Sequence, residues 1–189
     1  MKKIIIAIDS FKGCLTSAEA GKAAEKGIKS INPFCHTSVI PIADGGEGLL
    51  DVLITATKGK YITLSAHGPL MKMAKTHYGL SGNGRTAIIE MAATSGLPLV
   101  PIEQRNPMLT TTFGTGELIK DALNKGCRNF IIGIGGSATN DAGLGMLQAL
   151  GFRFLDKSGH TLGTGGQIME AVANIDTSGI HPALRETHF

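Results

Sequence analysis

Lys12, Asp44, Glu47, Asn140 and Asp141 are the residues whose types and spacing could do chemistry. They lie in three stretches with one format, in which small residues separate an apolar run from a helix start: DSFKGCLT (9–16), ADGGEG (43–48) and GIGGSATNDAG (133–143). Asp9 closes an apolar run, and Lys12 follows three residues on, a cation able to neutralise a phosphate or a substrate carboxylate. Asp44 and Glu47 are two carboxylates three apart among glycines. One suits deprotonation of a hydroxyl and the other suits a magnesium ion. A glycine-lined helix start with free backbone N–H groups suits a phosphate or carboxylate. The same residues also fit plain loop roles. Lys12 can be a solvated cation, and Asp9 or Ser10 can order a turn. Asp44 can be an N-cap with Glu47 placed by the helix dipole, and Asn140 or Asp141 can cap the helix that follows. TTTFGTGELI (110–119) adds hydroxyls before another helix, with Thr115 read as its cap.

These loops need strands and helices to hold them. KIIIAI (3–8) is a continuous apolar run, the pattern of a strand buried on both faces. Thr16 and Glu19 have capping-box spacing and open a helix. Ala20, Ala23, Ala24, Gly27, Ile28 and Ile31 share one face of it, and Asn32-Pro33 stops it. TSVIPIA (37–43) predicts a second strand, and DGGEG opens a second helix that ends near Gly59. Residues 1–60 thus read β-α-β-α, with parallel strands. From residue 61 the style changes. SGNG between two apolar runs predicts a hairpin. A helix is expected over 114–126, a strand over 129–134 and a helix from the third loop to Gly151. FRFLDKSGHTL reads as a short hairpin, and GGQIMEAVANI as a place for a short helix. In open α/β sheets ligands sit beyond the carboxyl ends of the strands, so the three loops are expected at one site.

Composition excludes several classes. Hydrophobic residues make up 42% and charged residues 17%, enough for a sizeable core. A net charge of +3 and the lack of tryptophan argue against a nucleic-acid partner. No segment approaches membrane-spanning length, and the N-terminal apolar run is too short for an export signal. Cys14, Cys35 and Cys127 lie far apart with no zinc spacing, which suits reduced thiols in a cytoplasmic protein. No histidine metal motif, Walker A motif or GxSxG is present. A dinucleotide-dependent enzyme would need a cleaner glycine fingerprint than 133–143 provides.

Four stretches taken together, DSFKGCLTSAEA, PIADGGEG, TTTFGTGELI and GIGGSATNDAGLGMLQALG, resemble the class I glycerate kinase family. GPL, IIEMAATSGLPLVP and RNP follow the family's order as well. The resemblance covers essentially the whole chain, which looks like the N-terminal half of the longer family members. It implies two α/β domains with the active site in the cleft between them, one Rossmann- or flavodoxin-like with a parallel sheet and one mixed α/β. Residues 1–60 would begin the first domain, and 61–189 would form much of the second. It implies ATP and D-glycerate as small-molecule substrates, magnesium, and 2-phosphoglycerate as product. Lys12 is then expected to neutralise charge and Asp44 to act as base or metal ligand. Glu47 and Asp141 are expected to hold magnesium. Ser10, Gly45, Gly46, Gly135, Gly136, Ser137 and Asn140 are expected to contact substrate or phosphate, with Asp141 also placed in the catalytic set. No nucleic acid or membrane is implied, and a homo-oligomer stays open. A non-catalytic fragment of such a kinase, or another nucleotide-dependent small-molecule enzyme, are the competing readings.

Overall fold

The computed structural model describes residues 3–189. In chain order its elements are β1 (Lys3–Ile6), α1 (Ser17–Ile31), β2 (His36–Val39), α2 (Leu49–Thr57), β3 (Lys60–His67), β4 (Met73–Leu80), β5 (Thr86–Glu90), the single turn α3 (Ala92–Ser95), α4 (Phe113–Asn124), β6 (Asn129–Gly133), α5 (Leu144–Ala149), β7 (Arg153–Leu155) and β8 (Asn174–Asp176). The described residues form a mixed α/β structure with three sheets. β1 and β2 pair in parallel across α1. β3, β4, β5 and β6 form one sheet in that order, antiparallel except for the parallel β5–β6 pair. β7 and β8 pair antiparallel.

Local chemistry accounts for the start of α1. Thr16 accepts the Glu19 N–H, and the Glu19 carboxylate accepts the Thr16 N–H at 2.8 Å, completing the expected capping box. The hairpin at SGNG also forms. Ser81 and Asn83 bond to each other at 2.7 Å and hold the turn that returns β4 into β5. The hairpin near Ser158 forms, and β7 gains a further partner. The chain turns back at Ser158-Gly159, with Leu162 N–H donating to Phe154 O at 2.8 Å, Asp156 N–H to His160 O at 3.0 Å and a Leu155–Thr161 bridge, while β7 takes β8 as its paired strand. A 3₁₀ helix, Gly166–Ala171, occupies the stretch read as a short helix.

The core lies on both faces of the four-stranded sheet. Ala87 and Ile89 of β5 join Ala66, Tyr78, Leu118, Ile119, Leu123 and Phe130 in the larger cluster beneath α4. Ile88, pointing the other way, packs with Leu50 and Ile54 of α2. Each buried aliphatic side chain contributes roughly 1.5–3 kcal/mol. The strand buried on both faces is therefore β5. In β1, Ile6 is buried while Ile5 is 60% exposed, because its two-stranded sheet leaves that face uncovered. The same shortage of partners leaves Ala23, Gly27 and Ile31 of the expected α1 face exposed, with Ala20 buried.

Tyr78 shows how the larger core treats a polar tip. It is fully buried, and its hydroxyl donates to Asp121 Oδ2 at 2.8 Å. Burial, and then the Asp121 carboxylate, push the phenol well above its ordinary value. A phenol whose folded pKa is raised loses stability as pH climbs past its unfolded value of about 10. The wild-type chain is expected to weaken in that range more steeply than Tyr78→Phe, which costs about 1 kcal/mol at neutral pH. Urea denaturation from pH 7 to 11 measures both effects, and parallel pH slopes would remove Tyr78 from the account.

Candidate functional site

The three loops leave the carboxyl ends of β1, β2 and β6 and meet in a chain of contacts. Lys12 Nζ lies 3.5 Å from Asp44 Oδ2, with both side chains largely exposed. Asp44 Oδ1 accepts the Gly46 N–H at 3.0 Å. That backbone bond first, and the Lys12 ammonium second, hold the Asp44 carboxyl below its ordinary range. Gly45 O accepts the Gly135 N–H at 3.2 Å, which ties the second loop to the third. Glycine is required by contact at position 135, where a Cβ would lie 2.7 Å from Gly46 Cα, and by its left-handed φ of 90° at position 45.

A cavity of about 410 Å³ opens beside this seam. Ser10, Lys12 and Glu47 line it, together with Phe11, His77 and Glu90. Ser10 Oγ is buried without a hydrogen-bond partner, the signature of a polar group left for a ligand or water. Asp44, Gly45, Gly46, Gly135, Gly136, Ser137 and Asn140 do not line the cavity. Ser137 is exposed and bonds locally to Thr139, with their hydroxyls 2.8 Å apart, and Asn140 is exposed nearby. The site therefore has two parts: a cavity under the first loop and an open shelf formed by the other two.

Several expectations change. Asp141 is 1% exposed, and its carboxylate accepts from the Thr111 and Thr112 hydroxyls and from the Thr112, Gly143 and Gly145 N–H groups. A carboxylate so enclosed and so fully bonded is a structural clamp, which corrects its assignment as catalytic group and metal ligand. Gly143, not Asp141, holds the N-cap position of α5, although the Asp141 carboxylate does accept the Gly145 N–H in its first turn. Beside it Ala142 sits at φ 49°, a conformation costly for alanine that the clamp sustains. The Gly135 N–H is committed to Gly45 O, so it is no free donor to an anion. Thr115 is not a cap either. Its hydroxyl is buried against Thr94 and Ser95 at 3.0 and 2.9 Å, and Thr112 holds the N-cap position of α4. α2 starts at Leu49, so Asp44 orders a turn with Gly46 instead of capping the helix.

Among the described residues no group of three or more His, Cys, Asp or Glu side chains is arranged to hold a metal. Glu47 and Asp44 are both exposed carboxylates, Glu47 on the cavity wall and Asp44 outside it. Among the described residues no helix is long and apolar enough to cross a membrane. Residue-type reasoning missed Glu90 and His77 on the cavity wall. A carboxylate at the end of an apolar strand, TAIIE, was the available signal for Glu90.

The architecture defines a mixed α/β protein whose glycine-lined loops meet beyond the strand ends. Known proteins agree with this description. The model of the Glycerate kinase family matches residues 4–189. Glycerate kinase of Bacillus subtilis (strain 168) is 54% identical over 183 residues, 97% of this chain and 48% of the relative. Glycerate 2-kinase of Escherichia coli (strain K12) is 49% identical over 184 residues, again 97% of this chain and 48% of the relative. The crystal structure of a Salmonella typhimurium LT2 protein, provisionally named glycerate kinase 2, superposes with a TM-score of 0.87 at 48% identity, covering 99% of this chain and 50% of that one. The chain belongs to the glycerate kinase family. It spans about half the length of the curated relatives it matches.

Proposed function

We propose that this chain carries the loops of an ATP-dependent kinase that phosphorylates D-glycerate to 2-phosphoglycerate. What supports the reading is the seam in which Lys12 stands over Asp44 while the second and third glycine loops touch at Gly45 and Gly135. Phosphoryl transfer asks for positioning and charge neutralisation more than for covalent help. Lys12 supplies positive charge to a transferring phosphoryl group. Asp44, whose carboxyl stays ionised below the usual range, is a weak base and a good partner for cations. Ser10 offers an unpartnered hydroxyl to a ligand in the cavity. Gly46, Gly136, Ser137 and Asn140 form the shelf on which an anion or the glycerate hydroxyls rest. Magnesium, held by Glu47 and Asp44 with the nucleotide phosphates, would neutralise charge on the transferring group. The seam is one wall of a cleft between two α/β domains, with α2 packed on the sheet of the second, in a cytoplasmic protein.

The test is D-glycerate-dependent ADP formation by the 189-residue chain with ATP and magnesium, with the product identified by NMR. The expected product is 2-phosphoglycerate. Binding of both substrates without turnover would instead mark a half-site that needs more protein. A chain that binds neither would sink the reading.

A further inference from the structure

Glu90 stands where two loops are joined. It is the last residue of β5 and pairs in parallel register with Gly133, from which the third loop departs. The Met91 N–H donates to Gly133 O at 2.9 Å, which fixes that pairing past the strand end. The Glu90 carboxylate turns to the second loop, and its Oε1 accepts the Leu50 N–H at 2.8 Å. Leu50 is in the first turn of α2, a helix whose N-cap, Gly48, is in the left-handed conformation and which has no side-chain cap of its own. A carboxylate from another element thus does the work of a local cap. The loops it spans have no slack. A Cβ on Gly133 would come within 2.5 Å of Gly45 O, and the Gly135–Gly45 hydrogen bond closes the seam above.

We infer that Glu90 is a positioning residue for the proposed kinase site: it sets ADGGEG against the third loop by anchoring the N-terminus of α2 to the end of β5. Its consequence for ligand binding rests on the phosphoryl-transfer reading, while the link itself does not. A negative charge on the Leu50 N–H also occupies the favourable end of the α2 dipole. α2 is then a prop for Asp44 and Glu47, and the phosphate is received by Lys12 and the shelf.

The test compares the wild-type chain with Glu90→Ala and Glu90→Gln. The readouts are amide exchange at Leu50, ATP affinity with magnesium by calorimetry, and the thermal midpoint. Glu90→Ala is expected to speed Leu50 exchange and weaken ATP binding, each by about tenfold, as loss of a cap implies. Glu90→Gln keeps an oxygen for the Leu50 N–H and is expected to restore both to within about threefold. General destabilisation would lower the midpoint of both variants without rescue by glutamine. Unchanged Leu50 exchange in Glu90→Ala overturns the proposal, and so does ATP binding damaged equally by both substitutions. If the wild-type chain binds no ATP, the kinase reading falls and Leu50 exchange alone decides. Faster exchange in the alanine variant, restored by glutamine, keeps the link, and any other pattern removes it.

Discussion

Asp141→Ala is expected to remove roughly 3–5 kcal/mol of stability, the range for breaking a buried, fully bonded charge site. The substitution strips the acceptor from two threonine hydroxyls and three backbone N–H groups at once. All of these donors but the part-buried Gly143 N–H are then buried without the carboxylate, which costs more than the bonds themselves were worth. Water cannot easily take the place of the carboxylate, because Asp141 is 1% exposed and Gly145 packs against Thr111 with no room for a side-chain carbon. Ala142 would then be free to leave its left-handed conformation, and the loop would lose its shape. Asp141→Asn should be nearly as harmful, since its NH₂ would face donors. Urea titration reads the loss directly. A midpoint equal to wild type in either variant would show that the clamp carries no stability.

Asp44→Asn has the opposite profile. Turnover is expected to fall by about a hundredfold or more, with little change in the thermal midpoint. Asp44 is exposed, so solvent screens its pairing with Lys12, and asparagine keeps an oxygen for the Gly46 N–H. The lost quantity is negative charge beside Lys12, which matters only to a bound, charged ligand. The pH dependence follows from the sign of the shift. A carboxyl held low is ionised above its folded pKa, and its contribution disappears as pH falls through that value. The acid limb due to Asp44 should therefore lie below the usual carboxylate range of about 4, and Lys12→Ala should move it upward. Steady-state ADP formation across pH measures these effects. An asparagine variant with wild-type kcat would strike Asp44 from the mechanism.

The fold was legible where its causes are local. The capping box needs only Thr16 and Glu19, one helical turn apart, and it forms as spaced. The SGNG hairpin, α4 and β6 likewise follow from short patterns of apolar residues and turn formers. Burial was less legible, because it depends on what covers a face. The apolar run in β1 predicts two buried faces, yet Ile5 is exposed, while Ile88 and Ile89 of β5 are buried on opposite faces by α2 and α4.

By itself the sequence determined the family, through the order and spacing of four long motifs, and it located all three loops of the seam. Only the tertiary structure decided what the carboxylates in and beside those loops do. Asp44 stays at the surface beside Lys12, Asp141 is drawn inward by Thr111 and Thr112, and Glu90 reaches Leu50. An aspartate in a glycine-rich loop reads the same whether it faces solvent or a ring of buried donors. Thr111 and Thr112 come from the loop before α4, about thirty residues from Asp141, and Leu50 lies in α2, 40 residues from Glu90; sequence spacing records no contact at that range.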